Sequence, residues 1–392
     1  MEQDNPDLSR AARLGIPLTR RAKLLAQIFD KSFGIAIAGT SGKSTVAAMV
    51  ATALRSLGMD PTYYGGASLI DQGIVPCLAN AVAGKGKFFC AETDESDGSF
   101  LEFHPQISVI HNISKDHKSM EELMGLFTRF AAQTRKTLIL NADCPLVRSL
   151  SLPPIPAVWY GTDATKFPLI IEEESIEGTR LRWKGSFCKV TQPGMHNVSN
   201  ALAALSVLEQ SDIPLDKAAK ALESFKGVRR RLELIGKAGD VWVFDDFAHN
   251  PAKIEATLST LQRFFPRVVT VFQLHGYGPA RFMAKDLEEL FARMLRPEDF
   301  LVLPKIYDAG GTADRSIGAQ DIARGILEAR NGAPVASVPE RHEVVDFVSK
   351  TAYGKTAVVV MGARDPSLSD LCRQILTSLS SNGRSRRSPL RR

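Results

Sequence analysis

Residues 34–45 read Gly-Ile-Ala-Ile-Ala-Gly-Thr-Ser-Gly-Lys-Ser-Thr, and few local sequences leave a chain less choice. Ile35, Ala36, Ile37 and Ala38 form an uncharged apolar run, which suits a strand buried on both faces of a parallel sheet. The run stops at Gly39-Thr40-Ser41-Gly42, meets Lys43-Ser44-Thr45, and passes into a helical stretch from Val46 to Leu57. Strand, glycine loop, Lys-Ser and helix together predict a phosphate cradle. Backbone N–H groups and the helix N-terminus hold the anion, Lys43 neutralises it, and the Ser44 hydroxyl ligates Mg²⁺. The longer form of this loop would place a glycine at Ile37, so the chain fits the shorter form Gly-Thr-x-Gly-Lys-Ser/Thr.

Two more apolar runs end in polar residues. Phe88-Phe89-Cys90-Ala91 runs into Glu92-Thr93-Asp94-Glu95-Ser96-Asp97-Gly98-Ser99-Phe100. A strand ending in acids is where a parallel-sheet nucleotide site places its metal ligands; the same residues also read as a solvated acidic loop. Ile107 to Ile110 precedes Asn112-Ile113-Ser114-Lys115-Asp116-His117, where His117 reads either as a structural histidine or as a ligand meeting the acidic loop at Mg²⁺. Met120 to Arg135 is helical in pattern, Thr137 to Leu140 is another strand, and Pro153-Pro154-Ile155-Pro156 is a connector. Residues 167–191 change to alternating patterns separated by Glu177-Gly178 and Lys184-Gly185, an antiparallel meander attached to the parallel sheet. Pro193 to Asn200 leads into a helix at Ala201–Glu209, and a second helix spans Leu215 to Phe225.

Gly227-Val228-Arg229-Arg230-Arg231 reads as a hinge into another domain. There Trp242-Val243-Phe244 precedes Asp245-Asp246-Phe247-Ala248-His249-Asn250-Pro251, and alternating elements follow: helices at 252–263, 284–295, 318–330 and 343–350, strands at 268–272, 300–303, 335–338 and 356–361. That alternation predicts a second doubly wound, Rossmann-like sheet.

At 392 residues the chain holds two or three domains. No uninterrupted apolar stretch is long enough to span a bilayer, so membrane insertion is not expected. The five cysteines (Cys77, Cys90, Cys144, Cys188, Cys372) are scattered, which points to a reducing cytoplasm and away from a disulfide scaffold or zinc site. The net charge is +6, and Arg384 to Arg392 carries five arginines, so the remainder stands at +1. That tail reads as a solvated, disordered segment or as one that touches nucleic acid or a membrane surface. With the body nearly neutral, nucleic acid is not the expected partner. Nothing in the residues sets an oligomeric state.

The phosphate loop, the acidic run, Asn112 to His117, His196-Asn197 through Asn200-Ala201-Leu202, and Asp245 to His249 occur in the order found in the muramyl (Mur) ligases. The resemblance covers about residues 5–370 and is greatest to the branch that joins UDP-N-acetylmuramate to L-alanine. Asn5-Pro6 through Gly15-Ile16-Pro17 to Arg21-Ala22 resembles the segment between that branch's first and second domains. The resemblance implies a P-loop parallel-sheet ATPase domain with an added antiparallel meander, followed by a Rossmann-like C-terminal domain. It sets residues 1–30 as a remnant or linker of a first domain, 31–226 as the ATP-binding domain, 227–380 as the C-terminal domain and 381–392 as a disordered basic tail.

The implied activity is ATP-dependent ligation of a carboxylate to an amine, an amino acid, through an acyl phosphate, as in peptidoglycan precursor synthesis. By the same resemblance Gly39, Thr40, Ser41, Gly42, Lys43, Ser44 and Thr45 bind ATP, and Ser44, Glu92 and His117 hold Mg²⁺. Asn197 and Asn200 sit at the adenine, Arg231 reaches the ATP phosphates, Asp246 the ribose, and His249 stands near the acyl phosphate. Lys43, His249 and Arg231 are the catalytic candidates. Departures fall in the substrate regions. The family's His-His-Pro is His249-Asn250-Pro251, its Gln-Pro-His-Arg is Gln273-Leu274-His275-Gly276, and Gly310-Gly311-Thr312 replaces a further part of the amino-acid region. About 30 residues before the loop offer Arg10, Arg13, Arg20, Arg21 and Lys23 but too little chain for a uridine diphosphate pocket, so weak binding of UDP-N-acetylmuramate is expected. Two alternatives stand beside the precursor ligase: a Mur-like ligase joining or cyclising another, non-UDP substrate, and a non-catalytic nucleotide-binding regulator. Retention of Lys43, Glu92, His117 and His249 weighs against the regulator.

Overall fold

The computed structural model describes residues 5–70, 80–114, 119–308, 310, 314–330 and 332–385, the side chains of 382–385 excepted. The chain divides into two compact units, one ending at Gly227 and the other beginning at Val228.

The first unit opens with helices α1 (Pro6–Arg13) and α2 (Arg21–Phe29). Asn5 starts α1 by accepting from the Asp7 and Leu8 N–H groups, with Pro6 at the first helical position. The strands β1 (Phe33–Ala38), β2 (Thr62–Tyr64), β3 (Ala81–Val82), β4 (Phe88–Glu92), β5 (Ile107–Ile110), β6 (Thr137–Asn141) and β7 (Ala157–Tyr160) form one sheet. Its order is β3-β2-β4-β1-β5-β6-β7, parallel except between β2 and β3. The apolar run after Phe33 thus becomes a central strand, buried from Gly34 onward. Ile37 pairs with Glu92, and Ala38 with Ile110. The residues that follow β1, β4 and β5 therefore leave the sheet at one edge.

Alternation along the strands feeds two layers. Ala36, Ala38, Phe89, Ala91, Ile110, Leu138 and Leu140 pack with Phe29, Phe100, Phe103, Phe127 and Phe130, which come from α2, the turn after β4, and α4 (Met120–Ala132). Helices α3 (Lys43–Ser56), α6 (Met195–Gln210) and α7 (Leu215–Leu222) pack on one another and on the strands. A one-turn helix, α5 (Pro145–Arg148), links β6 to β7. The alternating segment folds as β8 (Leu169–Ser175), β9 (Gly178–Trp183) and β10 (Ser186–Val190), a separate three-stranded antiparallel sheet of order β10-β9-β8 rather than an extension of the parallel one. Lys184 and Gly185 both take positive φ in the tight turn, which matches the twist of the flanking strands.

The second unit is a six-stranded sheet of β11 (Glu233–Ala238), β12 (Val241–Asp246), β13 (Arg267–Phe272), β14 (Phe300–Leu303), β15 (Val335–Ser337) and β16 (Thr356–Met361). The order is β11-β12-β16-β13-β14-β15, with β11 alone antiparallel. Helices α8 (Pro251–Phe264), α9 (Tyr277–Met294) and α10 (Ala319–Ala329) pack in series; α11 (Arg341–Thr351) packs against α12 (Leu368–Ser385). The result is the Rossmann-like, doubly wound arrangement expected from the alternation of elements.

Several helices start earlier than their apolar pattern implies. α3 begins at Lys43, directly after Gly42, and α6 at Met195. α9 begins at Tyr277, because Pro279 in a first turn removes no intrahelical hydrogen bond. α12 reaches Ser385, so the stretch expected to be disordered from residue 381 starts as helix. Ser380 and Ser381 continue the helix there, their hydroxyls donating to the Leu376 and Thr377 carbonyls. Residues 386–392 lie outside the described residues, as does Cys77. Cys90, Cys144, Cys188 and Cys372 are free thiols. Among the described residues no helix is long and apolar enough to cross a membrane.

The aromatic layer yields a stability test. Phe100 is fully buried, stacked 4.7 Å from Phe130 and edge-on to Phe127 at 5.4 Å. Phe100→Ala leaves a cavity that the two rigid rings beside it cannot close and costs about 3–5 kcal/mol, read from urea unfolding.

Candidate active site

The phosphate loop is shaped from behind by the chain that follows β5. Gly39 (φ 142°) and Gly42 (φ 83°) adopt backbone conformations that other residues avoid. The Thr40 N–H donates to the Asn112 carbonyl at 3.0 Å. The Ser41 N–H donates to Asn112 Oδ1 at 2.8 Å, and Asn112 Nδ2 donates back to the Ser41 carbonyl at 3.0 Å. The Ser114 N–H donates to Thr40 Oγ1 at 2.9 Å, while the Thr40 hydroxyl donates to the Ser114 carbonyl at 3.3 Å. α3 then starts at Lys43, so its first-turn N–H groups, which have no intrahelical acceptors, lie at the loop.

Four side chains converge there. Lys43 Nζ donates to the Gly39 carbonyl at 2.7 Å and to Glu95 Oε2 at 2.9 Å. The Ser44 hydroxyl donates to Glu92 Oε2 at 2.7 Å, and the same oxygen accepts the Gly66 N–H at 2.6 Å. Glu95 is only 6% exposed; burial pushes its carboxyl above the usual range, and the Lys43 ammonium pulls the other way. Ser44 and Glu92 present a hydroxyl and a carboxylate side by side, a hard-oxygen pair that fits Mg²⁺. Among the described residues no group of three or more His, Cys, Asp or Glu has metal-ligand placement, and His117, the remaining expected ligand, lies outside them.

Beneath the loop lies a buried polar layer. His111 directly follows β5, is 4% exposed, and bonds through Nδ1 to the Tyr160 hydroxyl at the end of β7. Burial lowers the imidazole to about 4, with partial opposition from Asn200 and Asp143. Asn197 and Asn200, both buried, sit in the first turns of α6. Asn197 Nδ2 donates to the Pro193 carbonyl at 2.8 Å, and Asn200 Nδ2 to Asn197 Oδ1 at 3.1 Å. Thr45, also buried, is held within α3.

In the second unit the expected residues cluster around the end of β12. Arg229 pairs with Glu233, and Arg230 donates to Asp245 at 3.3 Å and to the Gly362 carbonyl at 2.7 Å. Arg230 and Arg231 both lie over Phe247, each at 5.2 Å, and the charge of Arg231 acts on Asp246. Asp246 accepts from the Ala248 N–H at 2.8 Å and from the Thr257 hydroxyl at 2.9 Å; burial raises its carboxyl and Arg231 opposes the rise. His249 Nδ1 stands 2.8 Å from the Phe247 carbonyl. A carbonyl only accepts, so Nδ1 carries the proton and Nε2 keeps its lone pair. Desolvation, helped by Lys253, lowers this ring to about 3, so it is neutral at physiological pH. Asn250 caps α8 by accepting the Lys253 N–H at 3.1 Å. The changed segment at Gln273 to Gly276 leads into α9, with Gly276 before its first turn and His275 edge-on to His249 at 5.0 Å. Gly310 is described, whereas Gly311 and Thr312 are not.

Lys43, Ser44 and Glu92 are thus brought together at one sheet edge. The residues that sequence reasoning passed over are Glu95 and the His111–Tyr160 pair. Glu95 stood in the acidic run, three positions after Glu92, which was a usable signal. His111 stood at the end of an apolar strand, but nothing local linked it to Tyr160 on β7.

Residues 37–208 match the Mur ligase middle domain, and residues 230–364 match the Mur ligase glutamate ligase domain. The UDP-N-acetylmuramate–L-alanine ligase of Pelotomaculum thermopropionicum is 34% identical over 377 residues, which is 92% of this chain and 80% of that protein. The enzyme of that name from Sorangium cellulosum is 34% identical over 387 residues, 92% of this chain and 79% of its own. Among solved structures, the UDP-N-acetylmuramate–alanine ligase of Thermotoga maritima superposes with a TM-score of 0.77 at 25% identity, covering 97% of this chain and 84% of that one.

The buried imidazole predicts an acid-sensitive fold. An unfolded chain protonates His111 near its ordinary 6.5, the folded chain only near 4, so between those values the unfolded state binds more protons. The stabilisation is whole above the ordinary histidine value and is lost as pH falls through the window, by up to about 3 kcal/mol. Urea unfolding across the window, repeated with His111→Gln, gives a flatter dependence for the variant.

Proposed function

The chain belongs to the Mur ligase family, and on that premise we propose that it joins L-alanine to UDP-N-acetylmuramate with cleavage of ATP, a step of peptidoglycan precursor synthesis. The observation that carries this reading is the convergence of Lys43, Ser44 and Glu92 on one phosphate loop, in a chain 34% identical over 92% of its length to ligases of that name. The γ-phosphate passes to the substrate carboxylate, the amine attacks the acyl phosphate, and ADP, phosphate and an amide leave. Lys43 balances charge on the phosphates, and the loop N–H groups orient them. Ser44 and Glu92, with His117, would hold Mg²⁺, which supplies further neutralisation of the transferred phosphoryl group. Arg231 serves the phosphates, Asp246 the ribose, and Asn197 and Asn200 the adenine side. The neutral His249, with its Nε2 lone pair, serves the acyl phosphate and the incoming amine. The working compartment is the cytoplasm, consistent with four unpaired thiols and an ATP substrate. The substrates are small molecules, not nucleic acid.

One observation favours a second reading, the same chemistry on a different acid or amine. Asn250 and Gly276 stand where the family pattern has a histidine and an arginine, and here both residues begin helices instead.

The deciding assay supplies ATP, Mg²⁺, UDP-N-acetylmuramate and labelled L-alanine. Labelled UDP-N-acetylmuramyl-alanine, with ADP and phosphate in equal amounts, is expected. Release of ADP only with another carboxylate–amine pair would establish the second reading, and no release with any pair would remove the ligase assignment. Lys43→Ala should keep the fold and lose turnover by about a thousandfold, since one preorganised charge is worth that much to a phosphoryl-transfer step. Glu92→Ala should shift the Mg²⁺ concentration for half-maximal rate upward by about tenfold, read by titrating the metal at fixed ATP.

A further inference from the structure

Asn112 is not the phosphate loop's sole support. The ring of His111 lies directly against the loop backbone. A Cβ at Gly42 would stand 2.7 Å from His111 Cδ2, 2.9 Å from Nε2 and 2.6 Å from Asn200 Oδ1. A Cβ at Gly39 would stand 3.2 Å from His111 Cβ. The imidazole therefore lies against the loop at its last glycine, one residue before Lys43, while the His111 Cβ lies near its first. Behind the ring is Tyr160, stacked at 6.1 Å and 14° and bonded to Nδ1. Tyr160 comes from β7, with β6 between it and β5, so the anchor is set by the sheet and not by the loop.

We propose that His111 is a positioning residue for ATP: anchored by Tyr160, its Nε2 edge fixes the backbone at Gly42 and so the seat of the nucleotide phosphates. The inference rests on the reading of residues 39–45 as the ATP site. The proton placement follows from the neighbours. Both groups are fully desolvated, which keeps Tyr160 a phenol and His111 a neutral imidazole. Among the described residues the Tyr160 hydroxyl has no partner besides His111, so its proton goes to Nδ1. Nε2 then carries the ring's hydrogen on the side of Gly42, where the buried Asn200 Oδ1 also lies, an acceptor with no hydrogen-bond partner among the described residues. A buried ring stacked on Tyr160 and bonded to its hydroxyl has one orientation, and that rigidity passes to a glycine with no side chain of its own to hold it.

Two amide substitutions separate this role from plain packing. Asparagine places its amide where Nδ1 stands, and glutamine places it where Nε2 stands. His111→Gln, His111→Asn and His111→Ala are compared for ADP binding by calorimetry, for thermal midpoint, and for KM of ATP and of the amine. His111→Asn and His111→Ala are expected to weaken ADP by about tenfold, whereas His111→Gln stays within about threefold of the parent. KM for ATP should rise in step with the ADP dissociation constant, with KM for the amine unchanged. A packing role would lower the midpoint of all three and leave the affinity of the folded protein alone. If His111→Asn binds ADP as well as His111→Gln, or a folded His111→Ala binds like the parent, the positioning role is overturned. Glutamine and asparagine keep the comparison decisive should the alanine variant not fold. A parent chain that fails to bind ADP would instead overturn the ATP reading of the loop, and this inference with it.

Discussion

The parallel pairing of β1 between β4 and β5 is the constraint on which the site depends. Register, more than any single side chain, decides what meets what. Ile37 opposite Glu92 sets the carboxylate level with the start of the loop, and Ala38 opposite Ile110 sets His111 and Asn112 behind it. A slip of one residue in either pairing would turn the neighbour's side chains to the opposite face. Glu92 would then leave Ser44, and Asn112 would lose the two-way bond that shapes Ser41. Ile35–Ala38, Phe88–Ala91 and Ile107–Ile110 are buried on both faces, and Ser108, the one polar residue among them, is bonded to Thr134 at 2.6 Å.

Local patterns in the sequence announced these elements well. The loop, the strands on either side and the alternating meander each carried a signature within a dozen residues, and the doubly wound second sheet followed from its regular alternation. What local pattern could not show is pairing at a distance. β2 and β3 have three and two residues, too few to carry a period. β11 was hidden by an irregularity beside Gly236, where the register shifts. α12 had a usable signal in Leu368, Leu371, Cys372, Ile375 and Leu379, all buried, and only the serine-rich surroundings obscured it. In the site, Asp94, Glu95 and Asp97 look alike as letters. Glu95 is set apart because the turn after β4 carries it inward to Lys43 while Asp94 stays exposed.

The second unit shows how one cluster of like charges is sorted by its neighbours. Three consecutive arginines would repel if left together. Glu233 takes Arg229, while Asp245 and the Gly362 carbonyl take Arg230, which holds a left-handed backbone conformation. Arg231 shares the Phe247 ring with Arg230 and is the one whose charge acts on Asp246. Asn250 is explained in the same spirit. Its carboxamide accepts the Lys253 N–H and starts α8, a structural duty that a histidine side chain fulfils poorly.

The order of strands in the first sheet also sets a timetable. The central strand is made before either of its neighbours: β1 ends at Ala38, β4 begins at Phe88 and β5 at Ile107. At ribosomal rates of about 5–20 residues per second, the strand waits roughly 3–14 s for its second partner. For that interval Ile35–Ala38 is an apolar segment with unsatisfied backbone on both edges. α2, made before it, and α3, which follows it immediately, are the partners at hand, and their early packing on β1 would shield its faces. The strand that later leads into an anion's seat thus spends part of synthesis open to mispairing.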